Sequence, residues 1–104
     1  MLNFLKALFG FGGPAITPEQ VRSGTIIDVR SPGEFASGHV KGARNIPLQD
    51  IPQAALKLRQ LPQPIITCCA SGRRSGIAAS QLQAKGIDAL NGGPWQRVRD
   101  MLQQ

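Results

Sequence analysis

Four short runs of β-branched and aliphatic residues alternate along this chain with segments that carry helix signals. The runs are residues 25–29, 43–46, 65–68 and 87–90. Between them, Thr17-Pro18-Glu19-Gln20 and Ser31-Pro32-Gly33-Glu34 each place a hydroxyl at an N-cap, proline first in the helix and Gln or Glu at the third position. The spacing predicts short helices that stop at Gly24 and near Gly38. Asp50 is expected to cap a third helix. That helix buries Ala54, Ala55, Leu58 and Leu61 along one face and ends at Pro62 and Pro64. Residues 75–85 read as a helix with Ile77, Ala78, Leu82 and Gln81 inward and Gly86 as its stop, and residues 94–102 as a last helix. Strands alternating with helices through short connections predict an α/β domain with a mainly parallel sheet. At 104 residues the chain fits one such domain.

Ligands of such sheets bind beyond the carboxyl ends of the strands, which makes residues 28–34 and 69–75 the candidate site. The second is the more informative. A buried strand enters a small-residue loop, Cys69-Ala70-Ser71-Gly72-Arg73-Arg74-Ser75, and the loop opens a helix. Backbone N–H groups of the loop and of the helix start can converge on one point, with the positive end of the helix dipole behind them. A cysteine at the loop's start would be held there as a thiolate, below the ordinary value of about 8.5. Arg73 and Arg74 add positive charge, and Gly72 permits a backbone twist closed to other residues.

The rest of the composition narrows the function. The net charge is +6. It favours either a small anionic ligand or a basic surface with no partner. The basic residues form no run, the chain has no Tyr, and Phe35 is the only Phe beyond residue 11, so a nucleic-acid stacking platform lacks material. Cys68 and Cys69 are adjacent and cannot close a loop as a disulfide framework would. With a single histidine, no zinc site is expected, and no cofactor is implied. Residues 1–11 are apolar but too short to span a bilayer, and Lys6 interrupts them as a signal sequence. They read as an amphipathic segment, residues 1–13, that packs on protein in preference to a membrane surface. Residues 10–14 then form the hinge to a domain over 14–104. A thiolate chemistry without disulfides is expected in the cytoplasm.

The loop resembles the rhodanese active-site loop, Cys-x-x-Gly-x-Arg-Ser. Asp28-Val29-Arg30-Ser31 with Glu34-Phe35 is similar to that family's Asp-Val-Arg…Glu-Phe segment. Residues 38–47 are similar to its Gly-His-Ile-x-Gly-Ala-x-Asn-Ile-Pro segment, and Asn91-Gly92-Gly93 with Trp95 to its glycine-rich turn. The resemblance covers residues 16–100 in the family's order and is nearest to the small single-domain members. It implies a rhodanese-like three-layer domain, a sheet flanked by helices, and a sulfurtransferase activity. Cys69 would take sulfur from a small anionic donor such as thiosulfate, carry it as a persulfide, and pass it to cyanide or to a thiol, small or on a protein. Residues 70–75 would cradle the persulfide, with Asp28, Arg30 and Glu34 in support. Arg74 is expected to orient the loop by pairing with Asp28, Arg30 to pair with Glu34, and Arg73 to face the donor or solvent. His39 reads as a turn residue and Trp95 as core or pocket wall. The chain departs from the family at Cys68, where a bulky apolar residue is usual, and in the short spacer before Trp95.

Two alternatives stand beside this reading. Counted from Cys68 the loop reads Cys-x5-Arg, the spacing of cysteine phosphatases and arsenate reductases. The position of Gly72 and the lack of a histidine before Cys68 favour Cys69. The other alternative is a persulfide relay that passes sulfur to a partner without turnover of small acceptors.

Overall fold

The structure, a computed structural model, describes residues 16–104. The segment 1–13 lies outside the described residues, as does the hinge at 10–14. Helix α1 (Pro18–Ser23) leads to strand β1 (Thr25–Asp28), helix α2 (Pro32–Ala36) and the two-residue strand β2 (Arg44–Asn45). A 3-10 turn (Leu48–Asp50) then opens α3 (Ile51–Arg59). Strand β3 (Ile65–Cys69), α4 (Arg73–Ala84), β4 (Ala89–Pro94) and α5 (Trp95–Leu102) complete the chain. The four strands form one parallel sheet in the order β2-β1-β3-β4. Parallel pairing requires a crossover between strands, and each crossover here carries a helix.

The two capping boxes form as read. Thr17 and Ser31 accept from the N–H groups of Gln20 and Glu34, whose side chains return to the cap N–H groups. Asp50 differs: it precedes α3 but makes no side-chain cap bond, because the 3-10 turn leads straight into the helix. Gly24 ends α1 in extended rather than left-handed backbone. It is glycine because a Cβ there would meet the Pro64 carbonyl of the chain entering β3.

Alternation along the strands divides the core into two layers. Ile27, Ile65, Cys69 and Ala89 pack with Ile51, Ala55 and Leu58 of α3 and Ala78, Ala79 and Leu82 of α4. On the opposite face, Ile26, Ile66 and Cys68 pack with Val21 of α1, Val98 of α5, and Val40. Two expectations change. Ile77 is exposed, because Ser75, Ala78, Ala79 and Leu82 form the buried stripe at helical spacing. The last strand spans Ala89–Pro94 rather than 87–90, so the glycine pair lies in the sheet instead of in a turn after it. Gly92 is required there: a Cβ would lie 2.8 Å from the Thr67 carbonyl and from Val98.

Candidate active site

Cys69 is the last residue of β3, and the chain turns above its sulfur to begin α4. Gly72 makes the turn at φ 96°, in the left-handed region, as the N-cap of α4. The turn folds two N–H donors and a hydroxyl back onto Cys69 Sγ. The Gly72 N–H donates at 3.0 Å and the Ser75 N–H at 3.4 Å, and the Ser75 hydroxyl meets the sulfur at 3.3 Å. Burial alone pushes this thiol up. The contacts with Ser75, Gly72 and the Ser71 N–H outweigh it and hold the thiol below its ordinary value. Ala70, Ser71 and Arg73 are exposed around the loop.

Cys68 lies on the other face of β3, in the apolar layer, fully buried. Burial pushes its thiol far up, and the nearby Asp28 carboxylate pushes it further. The Cys-x5-Arg register therefore begins on a sulfur in the opposite layer from Cys69, among apolar side chains.

Two ion pairs lie at or beyond the strand ends, one of them tying the loop, and their partners differ from those expected. Arg30 pairs with Asp28, not with Glu34. Its Nε donates to Asp28 Oδ1 at 2.9 Å and its Nη2 to Oδ2 at 2.7 Å, both groups buried. The two residues are two apart where β1 ends, so their side chains leave on the same side. Arg30 Nη2 also donates to the Gly38 carbonyl at 2.7 Å, and its guanidinium lies 5.0 Å from the centre of the Trp95 ring. Arg74 pairs with Glu34, not with Asp28, through two parallel bonds of 2.8 and 3.0 Å. Glu34 thus closes the cap of α2 and ties α2 to the start of α4. The Arg74 bonds, with those from Ser31, hold its carboxyl down to about 2. Among the described residues Arg73 takes part in no ion pair.

Asn91, on β4, was not singled out by its side chain in the sequence. Its Nδ2 donates to the Gly72 carbonyl at 3.1 Å, and its Oδ1 accepts from the Ser75 hydroxyl at 2.7 Å and the Gly93 N–H at 2.9 Å. The signal available was an amide side chain beside a glycine pair, one strand from the loop. Thr67 Oγ1 donates to the Ser75 carbonyl at 2.8 Å and fixes the first turn of α4 from below. His39 stacks on Phe35 with ring centres 3.7 Å apart, its Nδ1 2.7 Å from the Phe35 carbonyl. Among the described residues, no cluster of three or more His, Cys, Asp or Glu could hold a metal, and no helix is long and apolar enough to cross a membrane.

The chain is similar to proteins already described. A family model for the rhodanese-like domain matches residues 15–95. An uncharacterized protein of Bacillus subtilis, YqhL, is 41% identical over 85 residues, which are 75% of this chain and 67% of that one. The thiosulfate sulfurtransferase GlpE of Stutzerimonas stutzeri is 33% identical over 86 residues, covering 75% and 78%. Among solved structures, a rhodanese with anions from E. coli superposes with a TM-score of 0.64 at 32% identity, covering 70% of this chain and 88% of that one.

Proposed function

Since the chain belongs to the rhodanese-like domain family, we propose that it transfers sulfane sulfur through a persulfide on Cys69. Thiosulfate or a similar small anion is the donor, and cyanide or a thiol, free or on a protein, is the acceptor. The observation that carries this reading is the convergence of the Gly72 and Ser75 N–H groups on a buried Cys69 sulfur whose thiol is held below its ordinary value. The Cys69 thiolate attacks the outer sulfur of thiosulfate. A bond forms between Sγ and that sulfur, the donor's S–S bond breaks, and its electron pair leaves on sulfite. The negative charge now rests on the outer persulfide sulfur, where the loop N–H groups and the start of α4 oppose it. Cyanide carbon or a thiolate then attacks the outer sulfur, and the Cys69 thiolate leaves. Splitting the transfer into two displacements predicts ping-pong kinetics. The thiol gives its proton to a solvent base before the attack, and the loop N–H groups favour that ionisation.

Glu34, Arg74, Asp28 and Arg30 support the loop and do not meet the reacting atoms. Arg73, exposed and outside the ion pairs of the described residues, is the loop cation proposed to meet an incoming anion. A reducing compartment, the cytoplasm, suits a thiolate of this kind. Cys68 makes a poor nucleophile, being buried in an apolar layer with its thiol pushed up. Intact-mass measurement after incubation with thiosulfate tests the proposal. The expected result is a gain of one sulfur that is lost on adding cyanide and is absent in Cys69→Ser. No gain in the wild type, with phosphate released from an aryl phosphate, would replace this reading with the phosphatase one.

A further inference from the structure

The hydrogen bonds around Asn91 fix where the Ser75 proton lies. The Gly72 carbonyl can only accept, so the Asn91 atom 3.1 Å from it is the Nδ2 donor. The Gly93 N–H can only donate, so the atom it meets at 2.9 Å is Oδ1. The amide therefore has one orientation. Its Oδ1, 2.7 Å from Ser75 Oγ, can only accept, and Ser75 must be the donor. A hydroxyl has one proton. With that proton directed at Asn91, Ser75 Oγ presents a lone pair to Cys69 Sγ at 3.3 Å and suits a neutral S–H or an uncharged sulfur. A thiolate needs the reverse: the hydroxyl must rotate about its Cβ–Oγ bond and donate to Sγ. The lowering of the thiol by Ser75 is realised only in that second position.

We propose that Asn91 is a positioning residue that accepts the Ser75 hydroxyl hydrogen bond whenever Cys69 Sγ is uncharged and yields it to Sγ whenever Sγ is a thiolate. This deepens the sulfur-transfer reading and rests on it for its role in turnover. In the resting thiol the Ser75 hydroxyl donates to Asn91 Oδ1. When the thiol loses its own proton to a solvent base, the hydroxyl turns to Sγ and no covalent bond changes. As Sγ bonds to the donor's sulfur, the charge moves to the outer sulfur and the hydroxyl returns to Asn91. As the acceptor takes the outer sulfur, charge reappears on Sγ and the hydroxyl turns back. Ser75 is fully buried, and Asn91 Oδ1 is the acceptor its hydroxyl meets, at 2.7 Å. Asn91 keeps the Gly93 N–H throughout, and the loop keeps its tie through Gly72.

The test is a double-mutant cycle read on the Cys69 thiol pKa, from ultraviolet thiolate absorbance against pH. It needs no turnover, so its failure and failure of the sulfur-transfer reading are distinguishable. Asn91→Ala removes the competing acceptor and should lower the pKa by about half to one unit in the wild-type background. In the Ser75→Ala background the same change should do nothing or raise it. Asn91→Asp, a stronger acceptor that changes the residue least, should raise the pKa more with Ser75 present than in the Ser75→Ala background. A mere loop tether predicts otherwise: Asn91→Ala would splay the N–H donors and raise the pKa in both backgrounds. Equal shifts in the two backgrounds for either variant would overturn the proposal.

Discussion

Cys68 and Cys69 are one peptide bond apart on one strand, yet the fold makes different chemical groups of them. Both sulfurs are buried, so exposure does not separate them. The period of two along β3 does: it sends Cys68 among Ile26, Val40 and Val98 and Cys69 beneath the loop. One sulfur meets no donor from the loop, and its thiol is pushed up. The other receives two N–H groups and touches a hydroxyl, and its thiol is held down. Burial of a thiol is thus compatible with either inertness or reactivity, and the count of donors aimed at the sulfur decides between them.

The largest test of that contrast is Cys69→Ser, which should reduce thiosulfate-to-cyanide turnover by at least about a thousandfold, as loss of a covalent nucleophile does. Turnover surviving in this variant but not in Cys68→Ser would invert the assignment. Next in size is the buried pair that borders Cys68. Asp28 lies in register with Cys68 across β1 and β3, and Arg30 compensates its charge. Arg30→Met would strand a buried carboxylate and should cost about 3–5 kcal/mol in denaturant unfolding. Cys68→Ser should cost about 1–3 kcal/mol, because its hydroxyl would enter an apolar layer without a partner, while turnover stays within a factor of a few.

The pH dependence of the two sulfurs should diverge in sign. Alkylation of Cys69 by iodoacetamide should rise with pH and level off below the ordinary thiol value of about 8.5, because its native pKa is depressed. Its ionisation contributes stability above the unfolded pKa, and that contribution is lost as pH falls through the native one. Cys68 runs the other way. With its native pKa raised, its contribution holds below the unfolded pKa and is lost as pH climbs above it. Cys68 should take no label until the chain unfolds, and two labels on the native protein would erase the contrast.

Much of this was legible in the residues. The capping boxes at Thr17 and Ser31, the alternation of strands with helices, and the turn at Gly72 are local signals, and local physics honours them. Pairing was harder to read, because charges in a sequence carry no direction. Asp28 and Arg30 sit two apart on extended chain, which already favoured each other as partners. Arg74 finds Glu34 only because α2 and α4 begin on neighbouring strands. Ile77 misled by its chemistry: its side chain is apolar, but the spacing of Ser75, Ala78, Ala79 and Leu82 sets the helix's rotation. The bonds of Asn91 cross from β4 to the loop, and nothing short-range in the sequence announces them.

The smallest test concerns a second pair of neighbours, Arg73 and Arg74, whose contrast repeats that of the cysteines. Arg74 is held by two bonds to Glu34 at the foot of α4, whereas Arg73 is exposed and outside every ion pair of the described residues. Arg74→Ala should loosen the loop that aims N–H groups at Cys69, raising the thiol pKa and lowering kcat. Arg73 can act only from the rim, on the donor as it arrives. Arg73→Ala should therefore raise KM for thiosulfate about two- to fivefold, the reach of one exposed charge, with kcat and the thiol pKa unchanged. The increase should shrink as salt is added, because an exposed cation attracts an anion through screened solvent. A fall in kcat for Arg73→Ala instead would place Arg73 beside Arg74 among the residues that shape the loop, and leave the incoming anion to the loop N–H groups alone.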